Sequence, residues 1–176
     1  MEIGNLKFKP LSESTELVAK IIKDRIAETK LSDFICVAKI NPELADTASF
    51  CKEYDIDLGI STNCLIIEAK RSDKTWYAAC LVLATDMADI NGIVRRKLEA
   101  RKTSFASMNT ALQLTEMEYG GITPLGLPFE WPILIDEAIM NNKVIVVGGG
   151  IRGSKIALKT DIFKVLPNVT IMKIVK

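Results

Sequence analysis

The sequence contains no histidine among its 176 residues. This absence excludes Ser-His-Asp and Cys-His catalysis, hydrolysis at a histidine-ligated metal, and acid–base chemistry by an imidazole. The four cysteines are widely spaced and include no Cys-x-x-Cys pair, so they indicate neither a zinc site nor a disulfide framework. We therefore expect a protein without a bound metal or cofactor, in which Cys64 packs in the interior rather than acting as a nucleophile.

Long apolar runs are also missing. Apolar runs such as residues 78–84 and 144–147 are much shorter than the roughly 20 residues of a membrane-spanning helix. Residues 1–10 contain charged side chains and no apolar signal segment. The formal net charge is only +1, so a nucleic acid would have to be bound by a local patch rather than by the overall field. These absences favour a cytoplasmic protein that does not associate with a membrane.

Hydrophobic residues make up 48% of the chain, and no low-complexity tract, repeat or linker divides it. Residues 1–176 are therefore expected to form one globular domain. The spacing of apolar residues predicts helices near 17–29, 42–54, 90–98, 107–114 and 161–166. Asp89 is the expected N-cap of the helix at 90–98. Alternation predicts strands near 34–40, 64–69, 76–84, 133–135, 143–147, 155–158 and 170–175, with a hairpin at the charged residues 70–74. This irregular alternation predicts an α/β fold with a mixed sheet.

Residues 119–128, called the glycine loop below, are the most informative segment for function. Three glycines and two prolines in ten residues exclude a helix or an ordinary strand. Gly120 and Gly121 present no side chain to a ligand, and adjacent backbone N–H groups in a turn can form an anion-binding concavity. The alternative is a surface connector. Met117 before the loop and the apolar run after it favour a loop that packs on the body of the protein.

Residues 148–153 match the GxGxxG pattern of dinucleotide-binding proteins and follow a strand-like segment. That pattern should open a helix and lead to an acidic residue about 20 positions later, whereas only a short tail follows here. We interpret the segment as a tight turn between strands, from which Arg152 projects to bind a phosphate or carboxylate. A plain β-turn is the alternative.

Two further features have a functional and a plain structural interpretation. Five basic residues cluster on and after one predicted helix and form either a polyanion-binding patch or a solvated helix face: Arg95, Arg96, Lys97, Arg101 and Lys102. Asp136 follows a predicted strand, so it either caps a short helix or holds an ammonium or hydroxyl group in a pocket.

Several segments together resemble the YbaK/prolyl-tRNA editing domain family. The similarity is strong from Asn63 to about Leu166, and it is looser upstream. The glycine loop is similar to the GxxxP motif of that family at Gly120 and Pro124. The other matching segments are 63–67, 79–82, 91–96, 133–136 and 150–153.

The resemblance implies a single α/β domain with a mixed, barrel-like sheet surrounded by helices, and hydrolysis of the ester that joins a wrong amino acid to tRNA. In that family the loop amides face the aminoacyl carbonyl, and the terminal ribose hydroxyl of the tRNA assists the reaction. No protein nucleophile and no cofactor are then required.

Site residues follow from the same resemblance. The implied catalytic residues are Gly120, Gly121 and Asn63. The implied substrate-binding residues are Thr123, Pro124, Gly126, Asp136, Gly150, Arg152 and Gly153. The implied partners are the acceptor end of a mischarged tRNA, with Arg95, Arg96 and Lys102 as candidate contacts, and an aminoacyl-tRNA synthetase.

One position departs from the family pattern. Bacterial cysteinyl- and alanyl-tRNA deacylases of this kind carry a lysine where this chain has Asn63, which can donate a hydrogen bond but supplies no charge. Lys70 and Lys102 are conceivable substitutes. The alternative function is a non-catalytic binding module of the same fold that docks tRNA, a synthetase or a small aminoacyl ligand. In either case we expect Asn63, Gly120, Gly121, Asp136 and Arg152 to converge on one pocket.

Overall fold

The computed structural model of the chain describes residues 1–27 and 31–176. Its strands are β1 (Glu2–Ile3), β2 (Leu6–Lys7), β3 (Lys9–Pro10), β4 (Ile35–Lys39), β5 (Thr62–Arg71), β6 (Lys74–Leu83), β7 (Lys102–Phe105), β8 (Ile133–Asp136), β9 (Val144–Gly148), β10 (Ser154–Lys159) and β11 (Val169–Met172). Its helices are α1 (Lys20–Ala27), α2 (Thr47–Tyr54), α3 (Arg95–Lys97), which continues a π-helical turn at Ile90–Val94, and α4 (Met108–Thr115). Short 3₁₀ turns occupy Leu11–Glu13, Thr15–Leu17, Ser32–Phe34, Pro42–Leu44, Glu137–Asn141 and Thr160–Lys164.

Two sheets build the domain, and a small β1-β2 ribbon precedes them. One sheet has the order β3-β4-β10-β9 and is antiparallel throughout. The other has the order β11-β8-β6-β5-β7, in which β8 runs parallel to both of its neighbours. The sheets meet where Ser61 bridges to Val146 and the Thr62 hydroxyl donates to the Val146 carbonyl at 2.9 Å. The predicted α/β fold with a mixed sheet is confirmed.

The hydrophobic core lies in layers because side chains alternate along the strands. Ala79 and Leu81 of β6 pack in the main core, together with residues of both sheets and Ile22 of α1. Ala78 and Cys80 on the opposite face of β6 are covered by the helical segment from 90 to 98. The outer face of the β10 sheet is covered by α2. Leu125, Leu127 and Trp131 also enter the main core, so the glycine loop packs on the body as predicted.

Most predicted elements are present, and their differences have local causes. The hairpin is confirmed, as is the Asp89 cap, whose carboxylate accepts from the N–H groups of Gly92 and Ile93. The helix predicted from Pro42 is interrupted, because Asp46 caps a new start by accepting from the N–H of Ser49 at 2.9 Å. The helix predicted at 161–166 is a 3₁₀ turn, and β7 was not predicted. The first helix begins at Lys20, and its predicted end at Thr29 lies outside the described residues.

No helix in the described part of the chain combines the length and the hydropathy that a membrane span requires.

Asp136 ties the C-terminal segment to the sheet. Its carboxylate is 1% exposed and accepts from the Ala138 N–H at 3.0 Å and the Ile174 N–H at 2.8 Å. The Ile174 carbonyl in turn accepts from the Asp89 N–H at 2.8 Å. Of the two sequence interpretations, the structural one is correct, because both carboxylate oxygens are occupied by backbone donors.

Replacing Asp136 with alanine removes an acceptor from two N–H groups, and a hydrogen bond to a charged group contributes about 1.5–3 kcal/mol. We expect Asp136→Ala to lower the free energy of unfolding by about 2–4 kcal/mol. Asp136→Asn keeps one carbonyl oxygen and is the matched control, with a smaller expected loss. Urea denaturation followed by circular dichroism measures both variants. A loss below about 0.5 kcal/mol for the alanine variant would contradict the assignment.

Candidate active site

An open cavity of about 510 Å³ lies beside the first half of β5. Its walls come from five parts of the chain: residues 45–48 at the start of α2, residues 62–66 of β5, residues 105–111 around α4, the start of the glycine loop, and the turn into β10. Asn63, Gly120 and Arg152 all line it, although they are far apart in sequence. For these three residues the predicted convergence is confirmed.

Asn63 is held in place by Thr47, which follows the α2 cap residue Asp46. The Thr47 hydroxyl donates to Asn63 Oδ1 at 2.8 Å. This contact fixes the orientation of the amide and leaves its Nδ2 group as a hydrogen-bond donor. The position therefore offers a neutral donor to a ligand.

The glycine loop is fastened to the turn between β9 and β10, residues 148–153, which we call the glycine turn. The Glu118 N–H donates to the Gly150 carbonyl at 2.8 Å, and the Gly150 N–H donates to the Gly121 carbonyl at 2.7 Å. A Cβ atom on Gly148 would overlap the carbonyl of Gly121, so glycine is needed there for the close approach. The interpretation of the GxGxxG pattern as a turn between strands is confirmed.

The amide groups of the loop are not equivalent. The Gly121 N–H donates to the Glu118 carbonyl at 2.9 Å, so it is already paired. The N–H groups of Gly120 and Ile122 have no acceptor among the described residues, and both residues line the cavity. The expectation that Gly121 faces a substrate carbonyl is therefore wrong, and Ile122 takes its place as a candidate donor beside Gly120.

Gly121 serves packing instead. It is buried, and a Cβ atom there would lie 2.8 Å from the backbone of Ile151. A bulkier residue at this position would disturb the fold. Gly120 has φ +78°, a left-handed conformation that glycine adopts without strain.

Arg152 lines the cavity, but part of its hydrogen-bonding capacity is used within the protein. Its backbone N–H donates to Glu118 Oε2 at 2.7 Å, and its Nη1 donates to the Tyr119 carbonyl at 3.1 Å. The guanidinium carbon lies 5.5 Å from the centre of the Tyr119 ring. Arg152 thus braces the glycine loop and keeps further N–H donors for a ligand.

Six of the predicted substrate-binding residues do not line the cavity. Asp136 is committed to the backbone contacts described above. Thr123 is fully buried, and its hydroxyl has no hydrogen-bond partner among the described residues. Gly126 and Gly150 have positive φ and pack against α1 and the residue before it. Pro124 and Gly153 are the other two predicted residues that are absent from the lining of the cavity.

The predicted basic contacts also lie outside the cavity. Arg95 Nε donates to the Asn91 carbonyl at 2.8 Å, and Arg96 follows it on α3. Lys102 begins β7, whose last residue, Phe105, borders the cavity. Lys70 forms an ion pair with Glu68 at 2.6 Å. Neither Lys70 nor Lys102 substitutes for the family lysine inside the cavity.

Lys155 is the lysine that does line the cavity, and the sequence analysis overlooked it. It is 6% exposed, and its Nζ donates to the Ala45 carbonyl at 2.8 Å and to the Gly120 carbonyl at 3.5 Å. The Nζ also lies 5.1 Å from the centre of the Phe50 ring. Burial lowers the pKa of Lys155 to about 8, with Cys51 and Asp46 acting in the opposite direction and Arg152 adding to the decrease.

Thiol and metal chemistry receive no support from the geometry. Burial raises the pKa of the Cys64 thiol, which keeps it protonated and weakly nucleophilic. Within the described residues, no group of three or more cysteine, aspartate and glutamate side chains is arranged to hold a metal ion.

Lys155 should make stability depend on pH. Its pKa is about 8 in the folded protein and has the ordinary value of 10.5 without burial, so the folded state disfavours the charged form. The penalty is complete below the folded pKa and disappears as pH rises toward the unfolded value. We expect Lys155→Met to raise the free energy of unfolding at neutral pH by about 1–3 kcal/mol.

Denaturant titrations of both proteins near pH 7 and near pH 10 measure this effect. The advantage of the methionine variant should shrink at the higher pH. An advantage that is equal at both pH values would contradict the assignment of the penalty to a buried charge.

Comparisons with known proteins agree with this architecture. The model of the aminoacyl-tRNA editing domain family matches residues 41–165. The crystal structure of a proposed trans-editing enzyme for prolyl tRNA synthetase superimposes with a TM-score of 0.75, at 15% identity over 89% of this chain and 96% of that chain. Hypothetical protein APE2540 gives a TM-score of 0.77, at 14% identity over 89% of this chain and 100% of that chain. At such identities these two structures establish the fold alone.

A comparison with curated protein sequences finds no match. The family match, however, covers well over half of the sequence and includes every segment that lines the cavity. The chain belongs to the aminoacyl-tRNA editing domain family.

Proposed function

We propose that the protein is an aminoacyl-tRNA deacylase that acts in trans and hydrolyses the ester of a mischarged tRNA. The observation that carries the proposal is a cavity lined by Asn63 and by Gly120 and Ile122, whose N–H groups have no acceptor among the described residues. Ester hydrolysis needs donors fixed where negative charge develops, and rigid backbone amides meet that need. The family membership supplies the substrate class.

In the proposed reaction, water attacks the aminoacyl carbonyl carbon and forms a tetrahedral intermediate. Its oxyanion is stabilised by the N–H groups of Gly120 and Ile122. The bond from the carbonyl carbon to the ribose oxygen then breaks. The ribose oxygen takes up one proton of the attacking water, and the amino acid leaves as a carboxylate after the second proton passes to solvent. Asn63 positions the terminal nucleotide through its Nδ2 donor. The neighbouring ribose hydroxyl assists proton transfer, as the family resemblance implies.

The rim of the cavity suits the end of a single-stranded nucleic acid. Phe105, Met108 and Tyr119 border it and are 58%, 48% and 54% exposed. Exposed aromatic rings at the mouth of a cavity provide faces on which unpaired bases stack. Lys102 lies three residues before Phe105 on β7, so it can reach the phosphates of an acceptor stem whose end enters the cavity.

A non-catalytic binding module of the same fold is the second candidate. One observation favours it: Asn63, at the position of the family lysine, offers only a neutral donor. Such a module would bind the tRNA end, a synthetase or a small aminoacyl ligand at the same cavity without cleaving the ester.

A single-turnover deacylation screen across mischarged tRNAs separates the two candidates. We expect release of at least one amino acid, unaffected by EDTA and by thiol alkylation, because the mechanism uses neither a metal nor a thiolate. Correctly charged tRNAs provide the control for selectivity. Tight binding of tRNA without turnover of any mischarged substrate would assign the chain to the binding modules.

The stacking role of the rim is tested by Tyr119→Ala and Phe105→Ala. Loss of one base–aromatic contact removes about 1–3 kcal/mol, so the half-saturating tRNA concentration should rise about 5- to 100-fold for each variant. Tyr119→Phe keeps the ring and should behave as wild type. Val165→Ala removes an equally exposed apolar side chain that does not border the cavity, and it is the matched control. Equal affinities of Tyr119→Ala and Val165→Ala for tRNA would refute the stacking role.

A further inference from the structure

A buried cation without a carboxylate partner distinguishes this cavity. Lys155 is 6% exposed, and no carboxylate among the described residues lies within 4.0 Å of its Nζ. Its only hydrogen bonds to described residues go to two backbone carbonyls, those of Ala45 and Gly120. An ammonium group has three N–H donors, so one donor remains for a ligand. An isolated buried charge is unfavourable for folding, which points to a function for it.

The position of this charge is specific. Lys155 extends from β10, and its Nζ lies 3.5 Å from the carbonyl oxygen of Gly120, whose N–H has no acceptor in the described part of the chain. Asn63 lines the same cavity from β5. A positive charge is therefore present in the cavity, but it comes from a different strand than in the family members that carry a lysine at position 63.

We infer that Lys155 is a catalytic residue, whose ammonium group binds the oxyanion formed at the aminoacyl carbonyl together with the loop amides. This inference rests on the proposed deacylase function and adds to it the source of the positive charge. In the reaction Lys155 forms and breaks no covalent bond and keeps its proton. Its charge stabilises the oxyanion more than the neutral carbonyl of the substrate, so it lowers the barrier rather than tightening ground-state binding.

The experiment measures single-turnover deacylation of a mischarged tRNA that the wild type hydrolyses, over a range of protein concentrations. Lys155→Met should lower the maximal rate by about 10²–10³ and leave the half-saturating concentration within about threefold. Lys159→Met is the matched control, because Lys159 lies on the same strand but is exposed and contacts the Asp33 carbonyl. It should keep the wild-type rate.

Two further measurements separate catalysis from a structural role of Lys155. The ratio of the wild-type rate to the Lys155→Met rate should fall as pH rises past about 8, because the ammonium loses its proton there. The charged or titratable groups that act on Lys155, namely Asp46, Cys51 and Arg152, are present in both proteins, so the two proteins differ only at Lys155. The double variant Asn63→Lys with Lys155→Met moves the lysine to the family position. Its maximal rate should be at least about tenfold higher than that of Lys155→Met alone.

The possible results are distinguishable. No turnover by the wild type on any mischarged tRNA would remove the proposed function and this inference together. Turnover by the wild type with a Lys155→Met rate within about threefold of it would overturn this inference alone. A loss seen only in the half-saturating concentration would also overturn it, as would a double variant that recovers no activity. Should Lys155→Met fail to fold, a wild-type rate that continues to rise with pH without a bend near 8 would overturn it as well.

Discussion

The backbone pairing between the glycine loop and the glycine turn is the contact on which the rest of the site depends. Glu118 and Gly121 on one side exchange hydrogen bonds with Gly150 on the other, and no side chain separates the two segments. This pairing determines which loop amides are used within the protein and which remain unpaired. It also brings β10, and with it Lys155, against the loop. Backbone contacts suit this purpose, because they hold the amides without relying on flexible side chains.

Much of the fold was predictable because its signals are local. The long hairpin of β5 and β6 has a regular alternation and a polar two-residue turn, and Asp89 precedes an apolar helical segment. The break before α2 was harder to see, since Asp46 offers a capping oxygen inside a stretch that also has helical spacing. β7 was not predicted because it has only four residues and forms by pairing with β5, which is remote in sequence.

The site residues were predictable only where the residue type and the local backbone conformation determine what the residue does. Asn63, Gly120 and Arg152 belong to motifs, and they meet as expected. Asp136 was ambiguous, because an aspartate after a strand serves equally as a cap or a ligand. The role of Lys155 could not be predicted for another reason. The burial of this strand lysine depends on Phe50, Ala45 and Gly120, which contact it from distant parts of the chain. A hint was present in residues 156–158, which follow Lys155 on β10 and are all apolar, as is typical of a strand buried on both faces.

The position of β10 between β4 and β9 has a consequence for biosynthesis. Lys155 contacts Ala45 across 110 residues of sequence, and the sheet that carries it cannot close until β10 has entered between its neighbours. During synthesis on the ribosome, residues 45–48, which form one wall of the cavity, must therefore wait for β10 to emerge. Such non-local pairing slows folding and leaves apolar strand surfaces open in the meantime. A nascent chain that ends before β10 therefore lacks the lysine that lines the cavity.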